Sequence, residues 1–498
     1  MSGAGVLHHL PILQVLVPLL AAPVALLLRR GYPAWVLATG VSWLVLVMAM
    51  GLVRQVLING TLSYELGGWA PPWGIEYRVD VLGAFMALIV SGIAAVIMPF
   101  SRRSLAAEIP ADRSAMFYTL ILLCLTGLLG IVMTGDAFNL FVFLEVSSLS
   151  SYALISMGRR REALTAAFQY LIMGTIGATA ILIGVGLLYM MTGTLNMADL
   201  AERMPDIAHT RTVTAAFAFI VVGVALKTAL FPLHLWLPNA YTYAPSVVSA
   251  FLAATATKVG VYMLLRFSFT VFGGLLAFEI MNLDRLLLVL ALLAALYGST
   301  AAVFQTDLKR MLAYSSVAQI GYTVAGVSFA SLTGLTAGIV HLFNHALVKG
   351  GLFLVAGCVL LRIGNVTIER MAGLGRTMPW TMAAFVVGGL GLVGVPATAG
   401  FISKWYLVQA ALERGWWPVA VVVLFTSLLA AVYVWRVVEV AYFRTPAQTS
   451  DAGVGEAPLS MLVSVWVMLA IMVYFGINAS LTTGLARQAA SGLLGTAL

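Results

Sequence analysis

Long apolar runs separated by short polar turns set the organisation of this chain. A run of 18 or more apolar residues is long enough to cross the hydrocarbon core of a bilayer as a helix. Fourteen such runs are expected, near residues 10–28, 34–57, 81–100, 115–134, 137–157, 163–192, 213–238, 245–272, 286–304, 311–329, 331–362, 379–412, 417–443 and 458–484. One segment departs from the helical pattern. Leu62–Asp80 alternates apolar and polar residues about Trp69-Ala-Pro-Pro-Trp-Gly74, which predicts a short hairpin outside the membrane. The predicted fold class is an all-α polytopic membrane protein in three parts. Residues 1–114 hold three spans and the hairpin, 115–443 hold spans four to thirteen, and 444–498 hold span fourteen and a tail.

Composition removes the main alternatives. Only 9% of the 498 residues are charged and 61% are hydrophobic, too few charges to cover a soluble surface, where about 25% is usual. Two cysteines, Cys124 and Cys358, lie in apolar runs. They exclude a disulfide framework, a Cys-based zinc site and a thiolate-held iron–sulfur cluster, and read as packing residues. The net charge of +8 comes without a basic run interleaved with aromatics, so it is no nucleic-acid footprint. It reads instead as a topology signal. With the N-terminus outside, the cytoplasmic turns take the larger share of the basic residues, including Arg29, Arg30, Arg102, Arg103, Arg159, Arg160 and Arg161. Arg54, Arg78, Arg266 and Arg285 then fall in outside turns. An even number of spans places both termini outside the cell inner (plasma) membrane. The first run is not a signal peptide, because its Arg29–Arg30 pair follows the apolar stretch.

The chain has five lysines. Lys309 is expected in a turn, whereas Lys227, Lys258, Lys349 and Lys404 lie deep inside apolar runs. Arg therefore serves the loops, and Lys is nearly reserved for the interior. A buried Lys can give up its proton, and an Arg cannot. Glu145 sits about eight residues into the fifth span, about 12 Å deep at about 1.5 Å per residue. Lys227 falls at a similar depth in the seventh span, where a pair of opposite charges offsets the cost of burying either alone. In the eleventh span, His341, His345 and Lys349 recur at i, i+4 and i+8, on one helix face. A metal site is the weaker reading of that face: no Glu follows His341 in the protease arrangement, and Lys349 repels a cation. A hydrated proton relay fits the residue types better. Two spans contain breakers beside buried lysines: Pro232 and His234 follow Lys227, and Pro396 precedes Lys404. The breaks fall five spans apart, which suggests two structural repeats, spans 4–8 and 9–13, of the inverted kind used by transporters.

Other signals are set aside. Gly389-x-Gly391-x-x-Gly394 matches a dinucleotide fingerprint but lies inside a span with no preceding strand. No P-loop occurs, so an ATP-driven pump is excluded, and no cofactor or metal is predicted. His8, His9 and His209 read as bystanders, and Asp136 as a helix-start acid.

Several motifs together resemble a known superfamily. They are Glu145 in its Phe-rich span, Lys227 before Phe231-Pro-Leu-His234, Leu308-Lys-Arg-Met-Leu-Ala-Tyr-Ser-Ser-Val-Ala-Gln-Ile-Gly-Tyr322, His341-x-x-x-His345-x-x-x-Lys349, and Lys404. Over about residues 70–440 the chain resembles the proton-conducting, antiporter-like subunits of respiratory complex I, membrane-bound hydrogenases and Mrp-type multisubunit cation/proton antiporters. Gly135-Asp-Ala-Phe-Asn-Leu-Phe-Val-Phe-Leu-Glu145 and Lys258-Val-Gly-Val-Tyr-Met-Leu-Leu-Arg266 are most similar to the D-type subunits of Mrp antiporters. Tyr241-Thr-Tyr243-Ala-Pro245 departs from the usual loop. The resemblance implies a transporter subunit, not an enzyme, that works with other subunits in the bilayer on protons and Na+. It assigns Glu145 as modulator, Lys227 as midplane carrier, Lys258, His341, His345 and Lys349 as lateral carriers, and Lys404 as terminal carrier. The alternative it allows is a proton-pumping subunit of a complex I-type NADH:quinone oxidoreductase or a membrane-bound hydrogenase.

Overall fold

The computed structural model describes residues 7–445 and 455–496. The described residues are helical apart from one hairpin and the turns. Helices α1 (Leu10–Leu27) and α2 (Gly31–Asn59) lead to strands β1 (Leu62–Glu65) and β2 (Glu76–Val79). The strands pair antiparallel with Leu62 opposite Val79 and Tyr64 opposite Tyr77, so the period-two alternation forms the expected hairpin. His9 ties the start of α1 to it through Tyr64 Oη at 2.9 Å. Asp80 then caps α3 (Val81–Glu108), accepting from Gly83 N at 2.9 Å.

The middle of the chain runs through α4 (Ser114–Met133), α5 (Ala137–Ser156), α6 (Glu162–Thr192), the short surface helix α7 (Met197–Ile207) and α8 (Arg211–Thr228). Then come α9 (Trp236–Tyr243), α10 (Ser246–Ala254), α11 (Ala256–Leu265), α12 (Leu283–Val303), α13 (Leu308–Ser328) and α14 (Leu332–Ile363). The last helices are α15 (Leu374–Thr377), α16 (Pro379–Val393), α17 (Ala399–Glu413), α18 (Trp417–Phe443), α19 (Leu459–Ile477) and α20 (Ser480–Leu494). Asp136 caps α5 by accepting from Asn139 N at 2.6 Å, as a helix-start acid should.

Among the described residues, twelve helices are long and apolar enough to cross a membrane. The remaining two of the fourteen runs fall short for physical reasons. Helix α13 has 21 residues but carries Ser315, Ser316, Gln319 and Thr323 among its apolar positions, and the twelfth run is cut into α16 and α17. The boundary expected at residue 444 adjoins residues 446–454, which lie outside the described residues, as do residues 1–6.

Burial separates the centre of the bundle from its rim. In the eighth crossing, Ser246–Val271, 94% of the apolar window is buried, against 39% in α2. Helix α14 is the other central element; it packs on α10, α13, α16, α17, α19 and α20. Helices α12 and α13 approach through small residues. A Cβ on Gly298 would meet Ala318 N at 2.6 Å, and one on Gly321 would meet Ala291 O at 2.5 Å.

Three crossings are broken among the described residues. The seventh stops at Thr228, turns left-handed at Ala229 (φ 57°) and resumes after Pro232 as α9. The twelfth stops at Val393, passes through Gly394 (φ 85°) and Ala397 (φ 68°) and resumes as α17. There the halves nearly touch, since a Cβ on Gly400 would lie 1.9 Å from Gly391 O. The third break was not expected. The eighth crossing is interrupted at Thr255 (φ −125°, ψ −56°), between α10 and α11, and α11 runs on into a π-helical turn, Arg266–Val271. Arg266, expected in an outside turn, is instead buried in that π turn, with its guanidinium on the Asp80 carboxylate and its Nε donating to Tyr262 Oη at 2.8 Å. Burial opposes the Asp80 charge, but the Arg266 guanidinium and the Gly83 amide hold its carboxyl below the usual carboxylate range.

Candidate functional site

Helix α5 presents Glu145, Ser148 and Tyr152 toward the end of α8, at i, i+3 and i+7. Lys227 is 6% exposed and occupies the penultimate position of α8. Its Nζ donates to Ser148 Oγ at 2.8 Å and lies 3.4 Å from Tyr152 Oη. Glu145 Oε1 stands 3.9 Å from Nζ, buried and without a hydrogen-bond partner. The two charges therefore pair, as anticipated, but loosely, and hydroxyls hold the amine. Beside Lys227 lies a cavity of about 20 Å³ lined by Ser147, Ser148, Ser151, Tyr170, Ala256 and Gly260. That is room for one water, against polar walls that can bind it. The cavity leads from Lys227 to α11, which carries Lys258.

Lys258 is 1% exposed, and its Nζ donates to Ala253 O, a carbonyl at the end of α10. The break at Thr255 frees that end of the helix. Helix carbonyls at a C-terminus lack intrahelical donors and carry the negative end of the helix dipole. Lys404 uses the same device. Its Nζ takes Leu392 O at 3.0 Å and Val393 O at 2.9 Å, at the end of α16, and Ser427 Oγ at 2.9 Å. It also lies 5.0 Å from the centroid of the Tyr322 ring, a cation–π contact. The two expected helix breaks and the unexpected one thus each adjoin a buried lysine.

Between these ends lies α14. Lys349 is fully buried and donates to Leu312 O at 2.8 Å and to Ser315 Oγ. The His341 and His345 rings stack with centroids 5.8 Å apart, which places the three bases along one face as the i, i+4, i+8 spacing required. His341 Nδ1 pairs with Ser403 Oγ at 2.8 Å, one residue from Lys404. Both His341 Nε2 and His345 Nε2 are buried without partners. Lys258 lies within Coulombic reach of His341, His345 and Lys349, and Lys404 within reach of His341. The seven residues singled out from the sequence therefore form one string, from Glu145 and Lys227 through Lys258, Lys349, His345 and His341 to Lys404. Such a string of neutralisable bases, hydroxyls and carbonyls can pass protons. Among the described residues no group of His, Cys, Asp and Glu is arranged to hold a metal ion.

His234 and Pro232 lie in the break after Lys227. The His234 ring is buried against Phe231 and Tyr297, with neither nitrogen bonded. Sequence reasoning missed Ser148, Tyr152, Ser315, Ser403 and Ser427; hydroxyls inside an apolar span near a buried Lys were the available signal. It also misplaced Lys309, which is not in a turn. Lys309 is 2% exposed in the first turn of α13, because its Nζ is drawn onto Ala244 O at 2.7 Å. All five lysines are therefore buried.

The family described as NADH:quinone oxidoreductase/Mrp antiporter, TM, matches residues 134–430, which hold every member of the string. The chain belongs to this family. Its relatives cover it nearly end to end. The N-type subunit of the NADH-quinone oxidoreductase of Desulforudis audaxviator is 43% identical over 92% of this chain and 94% of its own length. The D-type subunit of the Na(+)/H(+) antiporter of Alkalihalophilus pseudofirmus is 30% identical over 89% of each. A chain in the structure of the Mrp complex from Dietzia sp. superposes with a TM-score of 0.89 and 26% identity, covering 99% of this chain and 98% of that one. The family membership anticipated from the motifs thus holds, and the protein is a multi-pass membrane protein.

Proposed function

We propose that this chain is a membrane subunit of a multisubunit monovalent cation (Na+)/proton antiporter and moves protons along the string from Glu145 to Lys404. The observation that carries this reading is the docking of Lys258 and Lys404 on the carbonyl ends of broken helices, with Lys227 poised at a third break beside Glu145. A lysine held by carbonyls and hydroxyls needs no fixed counter-ion, so it can alternate between charged and neutral forms without leaving an unpaired acid behind. Glu145 modulates the first of them. At 3.9 Å and an effective dielectric near 20, a unit charge acts on another with about 4 kcal/mol. Opening or closing that gap changes how tightly Lys227 holds its proton. Lys258, Lys349, His345 and His341 pass protons laterally, and Lys404 delivers them.

In this reading residues 115–443 are the conducting core. Spans 4–8 and 9–13 are its two inverted repeats, with Lys227 and Lys404 at corresponding breaks. Both termini lie outside the plasma membrane, and the other subunits and Na+ complete the exchange. The test is exchange by the assembled complex in vesicles. Lys227→Ala and Glu145→Ala abolish it while the subunits still co-purify; wild-type exchange in an assembled Lys227→Ala complex refutes the reading.

A second reading has its own support, the 43% identity to a quinone oxidoreductase subunit. The same string then belongs to a proton-pumping arm of a redox complex. Mass spectrometry of the intact complex separates the two. Small hydrophobic antiporter subunits favour the first, and flavin or iron–sulfur subunits the second.

A further inference from the structure

The string described above leaves out one buried lysine. Lys309 docks on Ala244 O, the carbonyl just after α9, much as Lys258 and Lys404 dock on the ends of α10 and α16. It differs from them in its surroundings. Lys309 lines a cavity of about 540 Å³ at the face of the bundle that bears Arg159 and Arg160. Glu108, Asp307 and Asn365 share its walls. Glu108 is held in place: it accepts from Ser104 Oγ at 2.7 Å, Ser246 N at 2.9 Å and Ser246 Oγ at 3.2 Å, and so caps α10. Asp307 caps α13 through Arg310 N at 3.0 Å. The charged groups around the Lys309 amine are therefore Glu108 from α3, Asp307 before its own helix, and Arg159 and Arg160 from the turn after α5.

Helix α13 links this cavity to the buried string. Lys349 docks on Leu312 O at 2.8 Å, and Leu312 follows Lys309 by three residues, a rise of about 4.5 Å. Less than one helical turn of α13 thus separates the carbonyl that holds Lys349 from the residue whose amine faces the cavity.

We propose that Lys309 is an intake base, through which protons from the cavity on the Arg159–Arg160 face join the string at Lys349. The inference rests on the proton-transporting reading given above. A proton passes from water in the cavity to the neutral Lys309 amine and then to Lys349; one proton moves in each step, and no bond to carbon changes. The competing role for Lys309 is a pin that fixes the Ala244–Pro245 joint between α9 and α10. That role needs only a permanent positive charge.

The two roles separate on substitution. Lys309→Arg keeps the charge on Ala244 but cannot give up a proton, and Lys309→Met removes both. In assembled complexes reconstituted into vesicles with a pH-sensitive dye, both variants are expected to lower proton translocation by at least about tenfold. Wild-type rates in Lys309→Arg would overturn the intake. Lys227→Ala is measured in the same vesicles, so that an inactive Lys227→Ala beside a fully active Lys309→Arg rejects the intake alone and leaves the wider reading standing. Should Lys309→Arg not assemble, Asn365→Cys with Lys309 intact decides. Cys124 and Cys358 are fully buried, so a bulky membrane-impermeant thiol reagent applied from the Arg159–Arg160 face reaches the new cysteine. Slowed translocation is the expected result, and an unchanged rate after complete labelling overturns the proposal.

Discussion

The contact between the halves of the twelfth crossing offers a sharp test of how Lys404 is held. Gly400→Ala places a methyl group 1.9 Å from the carbonyl oxygen of Gly391. Both partners are backbone, so no flexible side chain can swing away. The halves must separate by roughly 1.5 Å before ordinary contact is restored. Overpacking of this kind costs about 1–3 kcal/mol of stability. The functional cost is more specific. Lys404 bridges the two halves, from α17 to Leu392 O and Val393 O at 3.0 and 2.9 Å, and the same shift stretches both bonds past the ~3.5 Å at which they cease to count. A hydrogen bond to a charged donor contributes about 2 kcal/mol, so losing even one of the two depopulates the docked lysine roughly thirtyfold. The assay is proton translocation and thermal stability of the assembled complex, with Gly186→Ala as control. Gly186 lies within α6 with nothing inside 4 Å of its Cβ position, so that variant should be neutral or slightly stabilised. A Gly400→Ala complex indistinguishable from Gly186→Ala in both measurements would refute the docking argument.

Two further outcomes follow from groups outside the string. Asp80→Asn leaves Arg266 buried without its partner and should cost about 3 kcal/mol, the low end for a broken buried pair because Asp80 itself is a third exposed. Because the Asp80 carboxyl is held low, its contribution is present above the unfolded value near 4 and is lost as pH falls through the lower folded value; an acid melting series in which Asp80→Asn flattens the loss checks the sign. Asp136→Ala removes the cap that accepts from Asn139 N and should lower stability by about 1 kcal/mol while leaving proton translocation intact, as read by melting and vesicle assays on one preparation.

Much of this architecture is legible from the chain because a bilayer permits so few solutions. Every run long enough to span became a helix or a broken helix, and the Leu62–Asp80 alternation became the hairpin. Breaks at Pro232 and Pro396 announce themselves through proline. The break at Thr255 does not: Ala-Ala-Thr-Ala-Thr has no breaker, and the kink is made by tertiary packing in the most buried crossing. The bases at 227, 258, 341, 345, 349 and 404 stand out against apolar neighbours. Lys309 is masked by a polar setting, with Asp307 before it and Arg310 after it. Arg266 reads as a loop residue because nothing near it in sequence reveals Asp80, 186 positions away. Serine partners such as Ser148 and Ser427 give a weaker signal for a different reason, since a small hydroxyl inside a helix usually satisfies itself on its own backbone.

The lysines docked on carbonyl ends have a consequence for how such a protein can diverge. An acid that pairs with a base is a side chain, and losing it exposes the base at once. The partners of Lys258 and Lys309 are peptide oxygens, which any amino acid supplies, whereas Lys404 adds the Ser427 hydroxyl to its two carbonyls. Residues at 253, 244 and 392 are therefore constrained by the core packing around them and not by the amines their carbonyls hold. In a comparison of many relatives Lys258 and Lys309 should show no co-varying side-chain partner. The dependence should fall instead on the positions that keep each helix broken, such as Gly394, Ala397 and Gly400.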